Sequence, residues 1–140
     1  MTYLLDVNVL ISLAWPDHVA HSVVRKWFAK NGGKSWATCP LVQAGFVRIT
    51  SNPAFSSHCL SVQEAVDGLR ASLASEEHQF WPDSISLPEA MKVLTMPIVG
   101  HQQITDAYLV ALAIRHRGKL ATLDQRIATF APAGSVEAVR

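Results

Sequence analysis

The stretch Tyr3-Leu4-Leu5-Asp6-Val7-Asn8-Val9-Leu10-Ile11-Ser12-Leu13-Ala14 decides the fold. Tyr3 to Leu5 is a short apolar run that reads as a strand, and Asp6 stands at its end. From Val7 to Ala14 the chain stays mostly apolar and reads as a helix, which Trp15-Pro16 stops. A strand passing directly into a helix begins a strand–helix–strand unit, and the same order recurs downstream. Ser35 to Thr38 reads as a second strand, with Thr38 or Cys39 leading into a helix that opens at Pro40, where a missing amide hydrogen costs nothing. Lys119 to Thr122 reads as a strand ending just before Asp124, and Val136 to Val139 as a final edge strand.

The helices between them carry their own signals. Asp17 is placed to cap a helix running to about Lys30, with Val23, Val24, Trp27 and Phe28 on its inner face and Asn31-Gly32-Gly33 as its stop. Asn52 to His58 reads as loop. Ser61-Val62-Gln63-Glu64 has the capping-box pattern, and Val62, Ala65, Val66, Leu69 and Leu73 recur behind it at helical spacing. Phe80-Trp81 reads as a strand and Leu87 to Leu94 as a short helix. A longer helix starts at Thr105 or Asp106 and ends in Arg115-His116-Arg117-Gly118, with cations and glycine where a helix C-terminus favours them. Short strands alternating with helices imply an α/β fold with a parallel sheet covered on both faces. In such sheets ligands gather outside the carboxyl ends of the strands, where Asp6 and Asp124 fall.

Composition narrows the class. At 140 residues the chain has room for one domain, spanning 1–140, with 49% hydrophobic and 16% charged residues. The formal charge of +1 gives no bulk field to draw in nucleic acid, so an RNA site must be a local arrangement. Cys39 and Cys59 match neither a disulfide framework nor a zinc spacing and read as small buried hydrophobes in a reducing compartment. No basic n-region precedes the first apolar run. The longest uninterrupted apolar run, Ala107 to Ile114, is far short of the ~20 residues a membrane span needs. A cytoplasmic protein with no membrane partner is expected.

Three aspartates sit among core residues, in Leu5-Asp6-Val7, Thr105-Asp106-Ala107 and Leu123-Asp124. An unpaired buried carboxylate is costly, and a divalent cation is the natural partner for several that converge. Hard Mg²⁺ or Mn²⁺ prefers such oxygen ligands and keeps water that can be activated as a nucleophile. Each acid also has a plain structural use: Asp6 and Asp124 as caps, Asp106 as a first-turn acid. Asn8 can orient Asp6 or hold a metal-bound water, or equally satisfy local backbone. His101 can touch phosphate or a metal-bound water, although a lone histidine is more often structural or simply exposed. The Arg115-His116-Arg117 cluster with Lys119 reads as helix-end complementarity rather than an RNA surface, and the four tryptophans as core or interface anchors.

With these segments in place the chain resembles the PIN-domain ribonucleases, specifically the VapC-type toxins of prokaryotic toxin–antitoxin modules. The resemblance rests on Leu4-Leu5-Asp6-Val7-Asn8-Val9-Leu10 and Cys39-Pro40-Leu41-Val42-Gln43-Ala44-Gly45-Phe46-Val47-Arg48. It continues through Gly100-His101-Gln102-Gln103-Ile104-Thr105-Asp106-Ala107-Tyr108-Leu109 and Leu120-Ala121-Thr122-Leu123-Asp124. It implies a single-domain α/β/α sandwich around a mainly parallel central sheet. It also implies a Mg²⁺- or Mn²⁺-dependent endoribonuclease whose catalytic and metal-binding acids are Asp6, Asp106 and Asp124, with Asn8, Gln43, His101, Thr105 and Thr122 as supporting residues. A homodimer and a VapB-type antitoxin partner are implied as well. The departure is Gln43, where the family often has glutamate, and it implies weakened metal binding. The competing expectations are a nuclease fold that has lost activity and an aspartate-based phosphoryl-transfer domain. Against the latter, the residue two beyond Asp6 is Asn8 and not a second acid.

Overall fold

A computed structural model describes residues 1–94, 97, 98 and 100–140. Five strands form one parallel sheet: β1 (Tyr3–Leu5), β2 (Trp36–Thr38), β3 (His78–Phe80), β4 (Lys119–Thr122) and β5 (Val136–Ala138). Their order across the sheet is β3-β2-β1-β4-β5. Tyr3 pairs with Trp36 on one side and Lys119 on the other, Leu5 with Ala121, and Thr38 with Phe80. Both faces are covered, because neighbouring residues that point to opposite faces are equally inaccessible: Leu4 and Leu5 are 0% exposed, as are Leu120 and Ala121.

The order explains where the helices lie. From β1 the chain moves one way across the sheet, through α1 (Val7–Ala14) and α2 (His21–Lys30) to β2, then through α3 (Pro40–Thr50) and α4 (Val62–Ser72) to β3. It then returns through α5 (Leu87–Met91) and α6 (Ile104–Arg115) to β4, on the far side of β1. Right-handed crossovers in opposite directions put the two helix groups on opposite faces. Accordingly α1 touches α2 and α3, α3 touches α4, and α5 packs on α6. The point where the order reverses lies between β1 and β4, the place where open α/β sheets bind ligands. α1 and α3 approach closely at Gly45, where a Cβ would stand 3.2 Å from Val7 Cγ2.

Several boundaries differ from the sequence expectations. α2 begins at His21, and Asp17 caps nothing. Two imidazoles take over that turn: His18 Nδ1 accepts the Ala20 amide at 3.0 Å, and His21 Nδ1 donates to the Ser12 carbonyl at 2.7 Å. Val24 and Trp27 are buried on α2, whereas Val23 is exposed. Val62 is also exposed, because it is the first residue of α4, outside the stripe of Ala65 and Leu69. β3 lies two residues earlier than Phe80-Trp81: the edge strand is His78-Gln79-Phe80, with Phe80 exposed and Trp81 turned into the core. α5 stops at Met91. Cys39 is buried and burial pushes its thiol up to about 11, while Cys59 is only half-buried. Trp27, Trp36 and Trp81 are buried, and Trp15 packs edge-on against Phe55 at 4.9 Å. Among the described residues no helix is long and apolar enough to cross a membrane.

Candidate active site

Asp6 is the residue after β1 and the N-cap of α1, so the strand end and the helix start fix it from both sides. Its Oδ1 accepts the Val7 amide at 2.8 Å, and its Oδ2 accepts the Thr122 hydroxyl at 2.7 Å. Thr122, the last residue of β4, is itself wholly buried, and its hydroxyl oxygen accepts the Asp124 amide at 3.0 Å. Asn8 closes the same seam: its Oδ1 accepts the Leu123 amide at 3.2 Å, and its Nδ2 lies 3.5 Å from Thr122 Oγ1. A single threonine hydroxyl therefore links the carboxylate after β1 to the backbone of the acid after β4. Asn8 pins the two strand ends together.

Asp124 caps the short 3-10 turn Gln125–Thr129, accepting the Arg126 amide at 3.0 Å. Arg126 also grips it with its guanidinium, Nε to Oδ1 at 3.0 Å and Nη2 to Oδ2 at 2.9 Å. Asp106 comes from the opposite layer, in the first turn of α6, which is entered through a 3-10 turn at His101–Gln103. Asp106, Asp124 and Arg126 border a cleft of about 380 Å³ with His101, Gln102 and Gln103 on its wall and Ile127 and Phe130 beneath.

The electrostatics show that the acids share one field. Burial pushes Asp106 up to about 6, and the negative charges of Asp6 and Asp124 push in the same direction against Arg126. Asp6 is raised chiefly by burial, opposed by its hydrogen bonds to Thr122 and Val7 and aided by Asp124. Asp124 alone is held low, because its hydrogen bond to Arg126 stabilises the charged form. The positive end of α6 should favour an ionised Asp106, and burial with two like charges outweighs it.

A family model for the PIN domain matches residues 3–131. The chain belongs to the PIN-domain family. Within it, Ribonuclease VapC39 of Mycobacterium tuberculosis is 41% identical over 137 residues, covering 98% of this chain and 99% of that protein. Ribonuclease VapC38 of the same organism is 42% identical over 128 residues, covering 91% and 89%. Among solved structures, Mycobacterium tuberculosis VapC20, a Sarcin-Ricin loop cleaving toxin, matches with a TM-score of 0.68 and 15% identity over 99% and 98% of the two chains. VapBC2 from Rickettsia felis, bound to a DNA fragment from their promoter, matches with a TM-score of 0.65 and 17% identity over 98% of each.

The PIN-domain scaffold thus brings Asp6, Asn8, Thr122 and Asp124 together at the switch point and sets Asp106 and His101 beside them. Thr105 is exposed on the first turn of α6. Gln43 goes elsewhere. Its Nε2 donates to Thr38 Oγ1 at 3.0 Å, and Thr38 Oγ1 lies 2.7 Å from His78 Nε2, over the face carrying α1 to α4. Among the described residues no three His, Cys, Asp or Glu side chains stand close enough to hold one ion jointly. Sequence reasoning missed Arg126, whose closeness to Asp124 was visible but whose grip depends on side-chain geometry.

Proposed function

We propose that residues 1–140 form a divalent-metal-dependent endoribonuclease that serves as the toxin of a type II toxin–antitoxin module. The observation that carries this reading is that Asp106 and Asp124 border one cleft at the carboxyl end of the sheet, with the charges of Asp6 and Asp124 helping to raise Asp106, in a chain 41% identical to Ribonuclease VapC39. The donor set suits Mg²⁺ or Mn²⁺: oxygen ligands only, a net negative field, and a cleft open to substrate. Mg²⁺ in particular is commonly held by one or two carboxylates, with waters and a substrate phosphate completing its shell.

Asp6 and Asp106 would hold the ion from opposite layers, with Asp124 completing the set. The bound ion would supply Lewis-acid stabilisation of charge growing on the scissile phosphate. The protein's own part is orientation. Thr122 fixes Asp6 Oδ2, Asn8 keeps the ends of β1 and β4 in register, and Asp106 meets the site from the opposite layer. His101 on the cleft wall is placed to meet phosphate. We further propose a cytoplasmic homodimer whose VapB-type antitoxin offers a basic side chain to the same acidic cleft. A small antitoxin reading frame immediately upstream would support the module, and light scattering showing a monomer at micromolar concentration would remove the dimer.

Calorimetric titration with Mn²⁺ and cleavage of a labelled RNA, on the native chain and on Asp106→Asn, test the nuclease. Binding and cleavage should both be present in the native chain and both be lost in the variant. Cleavage that survives chelation of all metal would sink the proposal.

A further inference from the structure

Arg126 makes a contact the nuclease reading does not use. Its guanidinium faces Asp124 fork to fork, one nitrogen on each carboxylate oxygen, while its own amide takes a second position on Oδ1. Both oxygens of a candidate metal ligand are therefore occupied by a cation belonging to the chain. The contact has little structural use, since the Arg126 side chain is 87% exposed and exposed pairs add little to stability. Arg126 also lines the cleft, and its charge opposes the elevation of Asp106, so it acts on both acids at once. Its backbone lies two residues from Asp124 on a short 3-10 turn, so the side chain stays within reach of the cleft when it lets go.

We propose that Arg126 is a displaceable positioning residue, covering Asp124 in the metal-free protein and turning onto a phosphate oxygen of the RNA when a divalent cation takes Asp124. The inference rests on the metal-dependent reading of the site. Two forces drive the exchange. A divalent ion binds Asp124 more strongly than an exposed guanidinium and repels the displaced positive charge. The planar fork that fits a carboxylate fits a phosphate equally well, with two parallel hydrogen bonds.

The test is Arg126→Gln, which keeps a polar side chain at an exposed position. Calorimetry with Mn²⁺ alone should show affinity rising about 2- to 5-fold, the worth of the exposed pair it must break. Anisotropy with a short fluorescent single-stranded DNA, which carries the same phosphates, should show affinity in Mn²⁺ falling about tenfold, as for the loss of a charge-assisted hydrogen bond. In chelator, with Arg126 still engaged on Asp124, the substitution should leave DNA binding unchanged. Arg126→Lys, which keeps the charge and loses the fork, should tighten Mn²⁺ less than Arg126→Gln does and recover only part of the DNA affinity. Unchanged or weakened Mn²⁺ binding in Arg126→Gln overturns the covering role. A DNA affinity that falls equally with and without metal overturns the exchange. A native chain that binds no Mn²⁺ overturns the site reading itself, which the variant comparison alone does not do.

Discussion

The two ends of the sheet follow opposite rules. At the amino-terminal end, where α6 gives way to β4, polar backbone groups are paired and ring packs on ring. Gly118 and Lys119 donate to Ala113 and Thr2 carbonyls at 2.8 and 3.1 Å, and His116 stacks on Trp81 at 4.1 Å with planes 7° apart. Gly118 has no room to be anything else, since a Cβ there would stand 2.4 Å from the Thr2 carbonyl oxygen. At the carboxyl end, Asp106 and Asp124 border one cleft, and the charge of Asp124 helps to raise both Asp106 and the buried Asp6. One end is mainly packing, with His116 Nε2 buried without a partner among the described residues and Arg117 held at φ 58°. The other tolerates repulsion that only a ligand can relieve, the usual mark of a site shaped for function.

The contrast is broken most severely by Trp81→Ala. Removing this buried ring should cost about 3–5 kcal/mol by denaturant unfolding, a large share of a small protein's stability. Mn²⁺ affinity of the folded fraction should stay unchanged. A matching loss of metal affinity would mean that the two ends are energetically one.

Asp6→Asn is the reciprocal change. The amide oxygen can still accept the Val7 amide, but its Nδ2 then faces the Thr122 hydroxyl in place of an acceptor, so stability should fall by about 1 kcal/mol and the chain should still fold. RNA cleavage should fall at least ~100-fold, about 3 kcal/mol of transition-state stabilisation. A variant that unfolds instead would place Asp6 among the structural caps and not in the chemistry.

This division shows why the sequence was legible where it was. An acid after an apolar strand is conspicuous at β1 and β4, and β2 was readable from its short run before Pro40, which opens the next helix. β3 was misplaced because His78 and Gln79 are polar residues on an edge strand, where the partners of Trp36 and Ala37 supply the order that composition hides. The order β3-β2-β1-β4-β5 depends on long-range pairing and has no local signature. Arg126 escaped notice for a related reason: an exposed arginine two residues from an acid is ordinary until both nitrogens are seen on both oxygens.

Asp106 gives a smaller effect with a definite sign. Its carboxyl is raised in the fold to about 6, so between the ordinary carboxylate range and pH 6 the folded chain binds more protons than the unfolded one. Without metal, this group's contribution is full at low pH and lost as pH rises through about 6. Asp106→Asn removes that loss. In chelator at pH 7.5 it should add roughly 1 kcal/mol, discounted for the half-exposed carboxyl, and raise Tm by about 3–5 °C. At pH 4 the difference should vanish. A variant that is less stable at pH 7.5 would show that Asp106 is a net stabiliser. In the native chain, Mn²⁺ affinity should drop about tenfold for each pH unit below 6, as the proton competes for the carboxylate.

The smallest effect is expected at Gln43, the position where the resemblance drawn from the sequence calls for a glutamate. Replacing a missing charge suggests a large gain: at ~4 Å and an effective dielectric near 20, a unit pair is worth about 4 kcal/mol before desolvation. That estimate presumes a side chain aimed at the cleft. Here Gln43 donates to Thr38, which meets His78 on the α1–α4 face. Gln43→Glu would reverse the hydrogen bonds of that line. The Thr38 hydroxyl would donate to the new carboxylate and accept from His78 Nε2–H, and the nearby negative charge would favour a protonated imidazole. Burial now holds the His78 pKa low, so the substitution should raise it. Mn²⁺ affinity should then improve less than ~3-fold, because most of the new charge serves His78 and not the ion. NMR titration of the His78 ring, run beside Mn²⁺ calorimetry on both forms, reads the two effects separately. An unmoved His78 with a tenfold gain in metal affinity would mean that residue 43 swings into the cleft once it carries a charge.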